Sequence, residues 1–247
     1  MDEEIVSVHG DIASSHWWFR GRRAVVRTLL KMVWKEKIFG NIIDIGGGGG
    51  SMVSLLQEFG QIIAVLEPNL ELASYAQKRF KDEKRVTVFT GDLESLGRNN
   101  YYDVVALFDV LEHIERDTEA LIKIRSMLKV GGSLVVTVPA FGFLWSNHDE
   151  KNGHKRRYTR DELLLKLKER GFEVERATYF NFFLFPIAFI VRVVDRYIRR
   201  GNTDFSLGAG AFNDLLYYIF SVECTLLRLI NLPFGVSIFA LAVKNDE

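Results

Sequence analysis

Five consecutive glycines, Gly46 to Gly50, stand directly after the run Asn41-Ile42-Ile43-Asp44-Ile45 and directly before SMVSLLQEF at 51–59. Each glycine loses more backbone freedom on folding than any other residue, so the run is costly unless the chain needs positive φ or a close approach there. A flexible linker is the simplest reading. Linkers, however, are not normally preceded by a β-branched run and followed by a helical pattern. The segment therefore predicts a strand, a glycine turn and a helix whose amino terminus faces a ligand.

From about residue 40 to 140 the same alternation repeats, which is the pattern of a parallel sheet covered by helices. Strands are expected near 41–45, 62–66, 86–89, 103–108 and 133–138, and helices over 51–59, 69–80 and 115–128, with Gly60 and Gly131-Gly132 as stops. Thr159 and Glu162 form a capping box for a helix running to Glu169, which Gly171 ends. Further strands are expected at 172–179 and 237–244. The nearly sixty residues between those two are rich in Phe, Leu and Ile. They are too many for an ordinary connection and predict a separate helical unit. The expected organisation is an amino-terminal helical cap over 1–39, a sheet domain from 40–179 and 237–247, and a hydrophobic helical insertion over 180–236.

The chain carries 32 basic and 32 acidic side chains. This balance gives no global case for nucleic-acid binding, which rests on clustered Lys and Arg neutralising phosphates. Cys224 is the single cysteine, so no intrachain disulfide and no cysteine-pair zinc finger can form, and a reducing cytoplasm is the natural setting. The opening MDEEIVSVHG lacks the apolar core of a signal peptide. No apolar run reaches the length of about 18 residues needed to span a bilayer. The longest, from Phe180 to Val194, is interrupted by Asn181, Pro186 and Arg192.

In open α/β sheets the ligand lies beyond the carboxyl ends of the strands, near the topological switch point. The residues there are Asp44 and the glycines after the first strand, Glu67 at the end of the second, Gly91-Asp92 after the third, and FDVLEH at 108–113 after the fourth. A dinucleotide fingerprint fits Gly46 and Gly48 but meets Ser51 at its third position. Asp44 would also add negative charge near a pyrophosphate; it suits a cationic ligand better.

DIGGGGG at 44–50 resembles the D-x-G-x-G-x-G motif of class I S-adenosylmethionine-dependent methyltransferases, with Gly47 where many relatives carry Cys. The resemblance extends in order and spacing to VLEP at 65–68, TGDLE at 90–94, YDVVALFDVLEHI at 102–114 and LKVGGSLVVTVPA at 128–140. HWWFRGRR at 16–23 and LWSNHDEKNGHKRRYTRDEL at 144–163 look like a type 11/23-like bacterial and archaeal subgroup often linked with cell-surface glycan or lipid genes. The resemblance implies an α/β, Rossmann-like fold: a seven-stranded, mostly parallel sheet flanked by helices, the last strand antiparallel, with the insertion before it. It implies S-adenosyl-L-methionine as cofactor. Asp44, Gly46, Gly48 and Gly50 would line its methionine and ribose end, Glu67 its ribose hydroxyls, Asp92 and Leu93 its adenine, and Phe108 and Asp109 its methionine part. The alternative for Asp92 is that it simply caps a turn after Gly91, and for Phe108 that it is simply core.

Acceptor chemistry is expected after the fourth and fifth strands. His113 is either a general base or a residue that orders the loop. His148 and His154 sit in the following loop, and a metal is not expected there because no tight ligand spacing supports one. Lys151, Lys155, Arg156, Arg157 and Arg160 form either a solvated face or an anion clamp, with Tyr158 beside them to stack or donate a hydrogen bond. Trp17, with His16, Trp18 and Phe19, either closes over the cofactor, lines a substrate pocket or simply packs. Residues 182–200 read as a basic amphipathic segment, with Arg192, Arg196, Arg199 and Arg200 at its edge. Peripheral contact with an anionic membrane, a grip on a lipid-linked substrate, a packed cap and a dimer interface all fit it. The expected function is methyl transfer to a small or lipid- or glycan-linked acceptor, not to nucleic acid. A nicotinamide-dependent oxidoreductase and a catalytically silent cofactor-binding scaffold remain as alternatives, and the oligomeric state stays open.

Overall fold

The apolar residues of the first predicted strand alternate in side: Ile42 belongs to one hydrophobic cluster and Ile43 and Ile45 to another. A strand with both faces apolar must be sandwiched between two helical layers. The computed structural model, which describes residues 15–198 and 212–245, has that arrangement. Strands β1 (Phe39–Ile45), β2 (Gly60–Glu67), β3 (Val86–Thr90), β4 (Tyr102–Phe108), β5 (Leu128–Pro139), β6 (Phe172–Phe180) and β7 (Ser237–Lys244) form one sheet in the order 3-2-1-4-5-7-6. Only β7 runs against its neighbours, β5 and β6. Strand order reverses at β1, between β2 and β4, so the switch-point crevice opens over the glycine run.

Helices α1 (Trp17–Trp34), α2 (Val53–Leu56), α3 (Leu70–Arg79), α4 (Asp117–Met127), α5 (Asn147–Lys151), α6 (Arg160–Glu169), α7 (Phe185–Ile198) and α8 (Asn213–Leu227) follow the chain. One face of the sheet buries Val25, Leu29 and Leu30 of α1 and Phe220 and Leu227 of α8. The other buries Leu121 and Ile124 of α4 and Leu163 and Leu167 of α6. Helix α6 begins as its capping box requires: Glu162 N–H donates to Thr159 Oγ1 at 3.3 Å, and Thr159 N–H donates to Glu162 Oε2 at 2.7 Å.

Two expectations change. The helix expected over 51–59 is a single turn, because Phe59 already pairs with β1, accepting from Phe39 N–H at 2.7 Å, and Gly60 is the first residue of β2 instead of a stop. Gly131-Gly132 likewise lie inside β5, where its register with β4 shifts, while α4 ends at Met127. From the amino-terminal segment, α1 packs along α8 of the insertion. A Cβ at Gly21 would lie 2.2 Å from the Phe220 ring, so the absence of a side chain lets the two helices meet. Glu223 of α8 accepts from Asn181 N–H at 2.6 Å and Phe183 N–H at 3.0 Å, fastening the insertion to the end of β6. Arg199 and Arg200, expected at the edge of a membrane-facing segment, lie outside the described residues, as do 1–14. Among the described residues, no helix is long and apolar enough to cross a membrane.

Candidate functional site

A cleft of about 700 Å³ lies over the carboxyl ends of β1, β4 and β5. Its floor is the glycine turn. Gly46 and Gly48 have φ of 65° and 55°, a region nearly closed to side-chain-bearing residues and open to glycine. A Cβ built at Gly48 would meet nothing within 4 Å, so the space above it is free for a ligand. Gly48 N–H donates to Glu67 Oε2 at 2.8 Å, and Asn69 N–H donates to Glu67 Oε1 at 2.8 Å. The buried β2 carboxylate therefore clamps the turn.

Asp44 is buried beneath Gly47, and burial raises it to about 7, with Arg22 pulling it down and Glu67 pushing it up. Asp109 lies in the left-handed region at φ 57°, held by N–H donation to the Thr137 carbonyl at 3.0 Å and by the Thr137 hydroxyl at 3.1 Å. Arg22 of α1 reaches its other carboxylate oxygen. Phe108 is buried and also lines the cleft. Asp92 caps the 3-10 turn Leu93–Ser95, accepting from Ser95 N–H at 3.0 Å. Gly91 N–H bonds to the Glu67 carbonyl at 3.1 Å, which sets Asp92 and Leu93 beside the end of β2.

The acceptor-side residues separate. His113, His148, His154 and Arg157 line the cleft, together with His16, Trp17, Trp18 and Phe19. Trp17 is otherwise buried against Phe220, their ring centroids 6.2 Å apart. Arg156 and Tyr158 do not line the cleft. Arg156 pairs with Asp117 at 3.1 Å and the Glu115 carbonyl at 2.7 Å. Tyr158 is buried in the core and donates to Asp117 at 2.9 Å. Burial and Asp117 push its phenol above the ordinary value, so it stays protonated.

Asp149 organises this side. It is fully buried and meets His154 Nδ1 at 2.8 Å, Arg157 Nε at 2.8 Å and Arg192 Nη1 at 3.0 Å. Burial alone would raise its carboxyl; the His154 hydrogen bond and the two guanidinium groups outweigh that and hold it well below the usual carboxylate range. Arg192, expected at an exposed helix edge, turns inward instead, because the buried Asp149 carboxylate and the Leu144 carbonyl, 3.1 Å away, draw it to the cleft. Burial and then Arg192 lower His148; burial and then His154 lower His113. Both rings are neutral near pH 7 and able to accept a proton. Arg22, Glu112 and Arg192 are among the lining residues that escaped sequence reasoning as site residues. Arg22 lay inside the conspicuous HWWFRGRR segment and Glu112 inside FDVLEH, but Arg192 carried no local signal.

A family profile described as "Methyltransferase domain" matches residues 17–177. The chain is 29% identical over 100 residues to a ubiquinone biosynthesis O-methyltransferase of Rickettsia typhi, covering 39% of each protein. It spans about two fifths of the length of the curated relatives it matches. Among solved structures it resembles the N-methyltransferase NodS of Bradyrhizobium japonicum in complex with S-adenosyl-L-homocysteine, with a TM-score of 0.59, 13% identity and coverage of 95% of this chain and 91% of that one. It also resembles the Haemonchus contortus phosphoethanolamine N-methyltransferase 2 in complex with S-adenosyl-L-methionine, with a TM-score of 0.59, 20% identity and coverage of 88% and 52%. At these identities the two structures share its fold. The family profile runs over more than half of the chain, from the tryptophan that opens α1 to Ala177 in β6, and the chain belongs to the methyltransferase-domain family.

Proposed function

We propose that the protein transfers a methyl group from S-adenosyl-L-methionine to a small or lipid- or glycan-linked acceptor. The observation that carries this reading is the open space above Gly48, bounded by a turn that Glu67 clamps and by the buried Asp44. The donor chemistry of that cradle fits the cofactor: carboxylates suit ribose hydroxyls and a cationic ligand, and side-chain-free backbone permits close approach. The two structural neighbours described above are complexes with this cofactor and with its demethylated product, which supports the assignment. When bound, S-adenosylmethionine supplies an electrophilic methyl on a sulfonium.

Asp44, Gly46, Gly48 and Gly50 would hold the methionine and ribose end, Glu67 the ribose, Asp92 and Leu93 the adenine, and Phe108 and Asp109 the methionine portion. Displacement at the methyl is in line, so much of the rate comes from holding the acceptor collinear with the methyl and sulfur. His113, His148 and His154 line the cleft where the acceptor would lie, and the neutral imidazole of His148 takes the proton of a hydroxyl nucleophile. Trp17 and Arg157 would shape the acceptor's side of the cleft. Exposed Ile187, Phe189 and Ile190 of α7, at 50%, 41% and 61% exposure, favour an apolar acceptor or a lipid surface over a nucleic acid.

The test is calorimetry with S-adenosylmethionine, followed by transfer of a labelled methyl into the lipid and aqueous fractions of a cell extract. Binding and label in the lipid fraction are expected, with flotation of the protein on anionic vesicles. Absence of cofactor binding overturns the reading. Label confined to polar acceptors, without flotation, retires its lipid-linked part.

A further inference from the structure

We propose that Glu112, His113 and His154 bind a divalent ion of the zinc class on the acceptor side of the cleft. The three side chains come from two loops, after β4 and after α5, yet each offers a ligand atom within 4.8 Å of the others. The loops are joined where Lys155 N–H donates to the Glu112 carbonyl at 2.8 Å.

Glu112 is the strongest observation. Its side chain is fully buried, it lines the cleft, and neither carboxylate oxygen has a hydrogen-bond partner. A buried carboxyl left without partners is expensive, so such groups are paired or coordinate metals. The nearby cations Arg22 and Arg157 are already committed, to Asp109 and Asp149. Nothing in methyl transfer from a sulfonium requires an unpaired glutamate at this point.

The two imidazoles are held as metal-binding histidines usually are. Asp149 faces His154 Nδ1 at 2.8 Å while also engaging Arg157 and Arg192. A carboxylate so placed accepts from Nδ1–H, which leaves the Nε2 lone pair for an ion. The Gly153 backbone hydrogen-bonds the His113 ring in the same supporting role. Carboxylate or carbonyl partners behind ligating histidines fix ring tautomer and orientation. The His113 and His154 rings stand edge to face, their centroids 4.7 Å apart.

Two imidazoles and one carboxylate form a nitrogen-rich donor set. It favours zinc, cobalt or nickel over magnesium and calcium, which prefer oxygen ligands. Three protein ligands leave a coordination position open, as in catalytic zinc sites, and here that position faces the cleft. Zinc bonds of about 2.0–2.2 Å require the donors to draw together from their present spacing. His113 is the exposed member of the three, so its side chain meets the least packing resistance to that movement.

The test uses the full-length protein, stripped with chelator and titrated with Co²⁺ and then Zn²⁺ in the absence of cofactor and acceptor. Its outcome is therefore separate from that of the methyl-transfer reading. One equivalent of Co²⁺ should bind with visible absorption bands, and Zn²⁺ should displace it. Glu112→Gln and His113→Ala should each weaken uptake at least about tenfold, and Asp149→Asn about 10–100-fold as a positioning residue. His148→Ala, with its ring centroid 6.4 Å from that of His154, should bind as wild type does. Circular dichroism establishes that each variant is folded, and the exposed His113 supplies a variant whose folding is least at risk. The proposal is overturned if no stoichiometric uptake occurs, if folded Glu112→Gln and His113→Ala bind normally, or if His148→Ala alone abolishes uptake.

Discussion

Arg22, near the start of α1, donates to the carboxylate of Asp109, 87 residues later in the chain and at the end of β4. The guanidinium is 7% exposed and the carboxylate 23%. This ion pair ties the amino-terminal helix to the floor of the cleft, and Arg22 also lowers Asp44. Replacing Arg22 by Met leaves Asp109 without its partner. Removing one partner of a fully buried pair costs about 3–5 kcal/mol; this pair is partly exposed and Thr137 still donates to Asp109, so a smaller fall in the urea midpoint is expected. Cofactor affinity should fall as well, since the Asp109 carboxylate is then held by the Thr137 hydroxyl alone. Unchanged stability and affinity would show that the pair is incidental.

Glu67 accepts from Gly48 N–H and Asn69 N–H, so its loss should act on the turn and on the ligand together. Glu67→Ala should weaken S-adenosylmethionine binding by about 1.5–3 kcal/mol, the cost of a charged hydrogen-bond acceptor. Gly48→Ala separates sterics from charge. Its Cβ meets no protein atom, so the variant should fold at a cost of roughly 1–2 kcal/mol for the left-handed backbone. It should nevertheless bind the cofactor poorly in calorimetry, because the methyl fills the open space. Wild-type affinity in folded Gly48→Ala would empty the cradle of meaning.

Asp44 titrates at about 7 because burial disfavours its charge. Its carboxyl is mostly protonated at pH 6 and ionised at pH 8, so a sulfonium ligand should bind more tightly as pH rises across that interval. Asp44→Asn should flatten this dependence. Calorimetry at pH 6, 7 and 8 checks it; parallel profiles for the two proteins would refute the link.

Glu223 is raised to about 7, first by burial, with the N–H groups of Phe183 and Asn181 opposing the shift. A carboxyl whose folded value lies above its ordinary 4.5 contributes stability at low pH that is lost as pH rises through about 7. Wild type should therefore lose stability relative to Glu223→Gln between pH 4.5 and 7. The difference should approach about 3 kcal/mol, at about 1.4 kcal/mol per pH unit. Urea denaturation of both proteins at pH 5, 6, 7 and 8 measures it, and a constant difference would rule the titration out.

Local pattern alone was enough to reveal the strand and glycine turn at 41–50, the seven strands and the Thr159–Glu162 cap. These features depend on residues within a few positions of one another: apolar periodicity, the φ that glycine permits and the reach of a capping side chain. The same reasoning placed Asp44, Glu67 and Asp109 at strand ends, because the carboxyl edge of a parallel sheet follows from strand direction. It overran at 51–59, where helical periodicity cannot register that Phe59 is paired with β1.

Tertiary structure decided how the basic and acidic residues are paired. Arg156, Arg157 and Tyr158 are consecutive, yet only Arg157 faces the cleft, while its neighbours pair with Asp117. Arg192 turns inward to Asp149, 43 residues away, and Arg22 crosses to Asp109. Glu112 reads as one more acidic residue in FDVLEH until burial removes water from its carboxylate and no protein donor takes water's place. Short-range rules fix backbone conformation, but a charge finds its partner only after helices dock on the sheet and exclude solvent. Docking brings together residues whose separation in the chain carries no trace of their contact.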